Sequence, residues 1–157
     1  MSMQQDFAND YGRNVASLKA LVKGLSHNET IVQPPFNANC MNWVLGHIVG
    51  SRDGVLALLG EKPLMSSEHA KRYGYGSAPV CEDGPDLLQL DAAMALLERS
   101  QERLAAALQR ATQADLDKTT KSFLGDTTVG NMVLVMFGHE CFHVGQVEML
   151  RELALKK

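Results

Sequence analysis

The sequence predicts an all-α protein, a four-helix bundle with a long crossover between its second and third helices. Three observations carry this. Four segments place apolar residues at every third or fourth position, which gathers them on one side of an α-helix. Eight methionines and an aromatic content of only 6% suit a helical interior. Between the second and third periodic segments, Glu61 to Pro85 is irregular and long enough to pass over a bundle.

The first helix is expected from Gln4 to Leu25, with Phe7, Tyr11, Val15, Leu18, Val22 and Leu25 as its apolar stripe. Gly24 and Ser26-His27-Asn28 mark its exit, which puts His27 in an exposed loop. Pro34-Pro35 then blocks helix formation until Asn37 or Asn39, either of which can cap the next helix. That second helix runs from Cys40 to Leu59 with Gly60 as its stop. Trp43, Val44, His47, Ser51, Val55 and Leu58 share one of its faces. In the crossover, Ser66 or Ser67 can cap a short helix through Glu68, His69 and Ala70, ending before Tyr73-Gly74-Tyr75-Gly76. The tyrosines could make it a lid over a site; a plain connector is the simpler reading.

Asp86 with Gln89 fits a capping box for the third helix, which continues to Ala111. Its buried stripe is Leu87, Leu90, Met94, Leu97, Leu104 and Leu108, and Glu98, Arg99, Glu102 and Arg103 form a solvated face. Thr112 to Gly125 is polar, with Phe123 and Leu124 expected to pack as an anchor, and Asp126, Thr127 or Thr128 caps the last helix.

A chain of 157 residues suits one domain, residues 1–157, able to bury roughly 70% of its unfolded surface. A net charge of −3, with no basic cluster beyond Lys156-Lys157, gives no electrostatic case for nucleic acid. The apolar runs are far short of a membrane span, and the N-terminus does not read as a signal peptide. Cys40, Cys81 and Cys141 are odd in number and widely spaced, which fits free thiols in a reducing cytoplasm.

Chemistry concentrates in the last helix. His139 and His143 are four residues apart, so they project side by side and can hold one metal ion. Met132, Val135, Met136, Val147, Leu150 and Leu153 fall in the same sector, so the pair faces a core. His139-Glu140-Cys141-Phe142-His143 also matches the H-E-x-x-H string of zinc proteases. A protease would need a third ligand downstream, and the fourteen residues after His143 contain no His, Asp or Cys. The third ligand must come from upstream. His47 looks into the core from the second helix, and three core-facing histidines on two helices form an open His₃ set that leaves positions for water or substrate. Packed histidines without a metal remain the simpler alternative.

Asn42-Trp43-Val44-Leu45-Gly46-His47, the histidines His139 and His143, Gly145-Gln146, and Thr128-Val129-Gly130 at the start of the last helix together resemble the DinB/YfiT-like metalloenzyme family. The resemblance covers nearly the whole chain. It implies a four-helix bundle, often dimeric, in which the matching histidines bind a divalent metal, zinc or nickel. It also implies a small-molecule substrate, because related branches include bacillithiol S-transferases and the mycothiol-dependent maleylpyruvate isomerase. A metal-dependent thiol S-transferase or thiol-dependent isomerase, with a low-molecular-weight thiol as cofactor, is therefore one expectation. A non-catalytic metal or small-molecule binder and a metal-free structural bundle are the others.

Trp43 and Met136, each about one turn before a ligand, are expected to keep the pocket partly apolar, and Gln146, one turn after His143, to orient a ligand or bound water. Cys40 could line the pocket, whereas Cys141, opposite the histidine face, reads as apolar filler. Second apolar strips at Val133, Leu134, Phe137, Cys141 and Val144, and at Leu45, Val49 and Leu56, suggest a homodimer.

Overall fold

A computed structural model describes residues 2–156 except Leu124. It is mostly helical. Four long helices, α1 (Met3–Val22), α3 (Met41–Leu58), α5 (Leu90–Arg110) and α7 (Val129–Ala154), carry the core, joined by the short helices α2 (His27–Thr30), α4 (Ser67–Arg72) and α6 (Gln113–Leu116). A two-stranded antiparallel hairpin, β1 (Thr119–Ser122) and β2 (Gly125–Thr128), precedes α7. Helices α1 and α3 each pack against both α5 and α7. No helix among the described residues is long and apolar enough to cross a membrane.

The apolar stripes form the elements as their spacing requires, and local chemistry moves the ends. Ser2 caps α1 by accepting from Gln5 N. The expected exit of helix 1 is itself structured: Ser26 and Glu29 make a capping box that nucleates α2, so His27 is half-buried and contacts Asp83 Oδ1 at 3.1 Å instead of lying in an exposed loop. Neither Asn37 nor Asn39 caps α3; Cys40 occupies that position without a side-chain bond. Gly60 turns the chain out of α3 with φ 79°, a conformation that disfavours any side chain. Ser66 caps α4. Asp86 makes no capping box with Gln89: it pairs with Arg72 Nε at 2.9 Å, and α5 starts four residues later. Thr128 caps α7 through Asn131 N, and of the expected anchor Phe123 is exposed while Leu124 lies outside the described residues.

The core divides into two apolar clusters. One gathers Leu18, Trp43, Ile48, Tyr73, Leu97 and Val147, the other Phe7, Tyr11, Val55, Leu104, Leu108 and Val133. Between them lies a polar layer. Arg52, fully buried on α3, makes a two-pronged pair with Glu140 on α7, Nε to Oε2 at 2.8 Å and Nη2 to Oε1 at 2.7 Å. Its remaining N–H groups donate to the Tyr11 carbonyl on α1 and to Ser100 Oγ and Gln101 Oε1 on α5. All five guanidinium donors are used, so the buried charge has both a counter-ion and its hydrogen bonds. One residue thus ties all four long helices together.

The strips expected to form a dimer contact are largely internal. Leu45, Val49, Leu56 and Val133 are buried within the chain, and Phe137 packs edge-on against the Tyr11 ring at 5.6 Å. Leu134 and Cys141 are exposed.

Candidate metal centre

Helix α3 delivers His47 and α7 delivers His139 and His143, and because these two helices pack together the three rings meet. One nitrogen from each lies within 4.8 Å of the others. The Nε2 atoms of His139 and His143 are 3.1 Å apart. Two ligands on one first-row ion, with bonds of about 2.0 to 2.1 Å, stand about that far apart.

The outer nitrogens are set by the protein. His47 Nδ1 is 2.8 Å from the Tyr73 carbonyl, so it carries the proton and donates, which leaves the Nε2 lone pair free. His143 Nδ1 is 2.6 Å from Gln146 Oε1 and donates likewise. Gln146 therefore orients a histidine. Burial pushes the His143 pKa down to about 4, assisted by the neighbouring His139 and His47 and opposed by Gln146. His139 is also lowered, first by burial and then by His47. Both rings are neutral near pH 7, the state a metal ligand needs. His139 Nδ1 is buried and has no partner. The donor set fits a divalent ion: three neutral nitrogens, two held in the ligating tautomer by the carbonyl or amide oxygens that fix their rings.

The support for His47 comes from the segment between α3 and α5. Trp43 stacks on the His47 ring, centroids 4.7 Å apart and planes within 11°, and its Nε1 donates to Ser77 Oγ. Tyr73 is buried; its hydroxyl donates to Asn42 Oδ1 and accepts from Leu88 N. Its ring lies directly over Gly46, where a Cβ would come within 2.3 Å of it. This segment is thus more than a connector, since it supplies the group that orients His47.

The histidines line a cleft of about 690 Å³. Its other walls include residues 35–39, Trp43 and Val44 from α3, Tyr75, and Phe142, Gln146, Met149 and Leu153 from α7. Met136 does not line it and packs with the second apolar cluster. Cys40 is fully buried and also outside it, its thiol pushed up by burial. Cys141 is exposed rather than filler, 3.5 Å from Asn14 Nδ2. Glu140 is committed to Arg52 in the buried layer, so it is not placed as the base of a zinc protease.

Several site residues escaped sequence reasoning. Ser77, and the Tyr73 carbonyl as the partner of His47, act through a fold-back that periodicity cannot show, while Tyr75, one of the tyrosines named as a possible lid, lines the cleft. Phe142 and Met149 look solvent-facing until residues 35–39 form the opposite wall. Gly46 beside His47 is a weak local signal, because α3 also carries Gly50 and Gly54, and among the three only Gly46 has a ring directly over it.

The sequence matches the DinB superfamily over residues 11–147. No match was found among curated proteins. Among solved structures, the fold is similar to a conserved protein from Enterococcus faecalis, with TM-score 0.78 and 16% identity over 100% of this chain and 99% of that one. It is also similar to a mutant of a mycothiol-dependent maleylpyruvate isomerase, with TM-score 0.67 and 11% identity over 92% of this chain and 60% of that one. With most of its length covered by the family match, the chain belongs to the DinB superfamily.

Proposed function

We propose that the protein is a divalent-metal-dependent thiol S-transferase or thiol-dependent isomerase, acting on a small-molecule substrate. The observation that carries this reading is the convergence of His47, His139 and His143 at the end of an apolar cleft, with two of the three rings oriented from behind. A divalent ion there, zinc or nickel, would supply positive charge that the neutral ligands leave uncompensated and so lower the pKa of a thiol.

The chain's own residues do the rest. Gln146 and the Tyr73 carbonyl hold the rings, Trp43 covers the His47 face, and the apolar walls limit water around a bound thiol. The shared fold with a mycothiol-dependent isomerase supports thiol chemistry. In this reading the four long helices act as one bundle domain, with residues 59–89 as its crossover. The free cysteines support a cytoplasmic location.

Elemental analysis tests the first step. Wild type should carry one divalent ion per chain and His143→Ala little; equal content in both would overturn the metal site. Metal-loaded protein is then offered low-molecular-weight thiols with a panel of electrophiles while thiol loss is followed. Turnover by wild type but not by His47→Ala is expected. Metal binding without any thiol turnover would make a non-catalytic binder the better account.

We propose further that the protein is a homodimer, now through the smaller strip around Leu134, which is 51% exposed, and Cys141. Light scattering should give twice the chain mass at micromolar concentration, and Leu134→Glu should halve it. A monomeric wild type would overturn this.

A further inference from the structure

The cleft walls bear on the kind of thiol. Among the described residues eight large apolar side chains are exposed, and four of them, Phe36, Tyr75, Phe142 and Met149, line this one cleft. Exposed apolar groups gathered in one concavity mark a binding surface. The polar lining is of a different kind. Gln146 is occupied by His143, Asn39 is half-buried, and Asn37, Glu152 and Lys156 are exposed. A sugar or peptide thiol brings many hydroxyl or amide groups, each needing a partner on desolvation, and the walls between Phe36 and Phe142 offer few.

Resting on the metal-dependent thiol reading above, we infer that the ligand is amphiphilic: a single thiol head at the histidines and an uncharged alkyl or aryl body along Phe36, Phe142 and Met149. A volume of about 690 Å³ accommodates such a body well beyond the head group. The head supplies orientation and the body supplies affinity. Hydrophilic thiols of similar length are correspondingly weak ligands.

The test uses the full chain loaded with cobalt(II), whose absorption on thiolate coordination reports binding without turnover. Affinity is measured for the straight-chain thiols from ethanethiol to hexanethiol, with glutathione as the hydrophilic comparator. Affinity should rise about fourfold for each added methylene, as burial of that group in an apolar site requires. Hexanethiol should bind more tightly than glutathione. In Phe142→Ser, a change at a side chain 66% exposed, the increment should fall below about twofold. A series flat in chain length, or tighter binding of glutathione, overturns the inference while leaving the metal-thiol reading intact. An unchanged increment in Phe142→Ser overturns the assignment to this cleft. Absence of the absorption with every thiol overturns both.

Discussion

Gly46 shows how the backbone governs a candidate metal ligand. A Cβ there would penetrate the Tyr73 ring, with ring carbons at 2.3 to 2.6 Å, so Gly46→Ala must displace the ring and with it the carbonyl that holds His47 Nδ1. Overpacking of this kind costs about 1 to 3 kcal/mol, and loss of an orienting partner lowers metal affinity about 10- to 100-fold. Gln146→Leu removes the corresponding partner of His143 without a clash, so it should lower metal affinity by a similar factor with little effect on stability. Chelator competition and thermal melts on the two variants separate the effects. His143 also sets a pH dependence. Its folded pKa is about 4 and its unfolded value about 6.5, so between these the unfolded chain binds more protons and metal-free protein loses stability as pH falls. Urea unfolding at pH 7 and 4.5 should show this as roughly 2 kcal/mol of loss in wild type that His143→Gln lacks. At this scale helical spacing placed some side chains correctly and others not, since Met136 and Cys40, expected at the pocket on the same spacing, lie outside the cleft. The three histidines, Trp43 and Gln146 were found that way, whereas Tyr73 and Ser77 depend on where a loop returns.

Between elements, the polar layer around Arg52 is the main contact that periodicity missed. Arg52 and Glu140 each lie within strongly apolar helices, but two charges 88 positions apart reveal their pairing only when the helices are placed side by side. On every long helix the layer separates residues of one apolar cluster from those of the other, so it fixes how the helices align along their lengths. Removing one partner leaves the other charge buried, and Arg52→Met or Glu140→Gln should cost about 3 to 5 kcal/mol. The double substitution Arg52→Met with Glu140→Gln should cost less than the two single losses combined, because it leaves no unpaired charge. Urea unfolding of the four proteins measures the coupling, and strict additivity would show that the pair acts as two independent groups. The helices themselves were legible because their apolar stripes span several turns. The hairpin was not, since Thr-Thr-Lys-Ser and Gly-Asp-Thr-Thr carry no apolar alternation and pair through the backbone, Thr119 with Thr128.

At the scale of the whole molecule, the second apolar strip expected on α3 is covered within the chain. Leu45, Val49 and Leu56 lie away from the histidine face, yet α5 and α7 pack against the helix and the three have almost no exposure. The same enclosure would couple metal binding at the candidate site to global stability. The candidate ligands come from α3 and α7, and the group behind His47 comes from the segment between α3 and α5, so an ion that binds only the assembled set would stabilise all three against unfolding. At a free metal concentration about 100-fold above Kd the gain is about 2.7 kcal/mol. For a chain of this length, that corresponds to a rise in Tm of about 5 to 11 °C. Thermal melts of chelator-treated protein, with and without added zinc or nickel, should show the rise in wild type and its loss in His47→Ala. Because His47 is the only member of the set on α3, an equal rise in that variant would mean that the ion is held by α7 alone and does not bridge the helices.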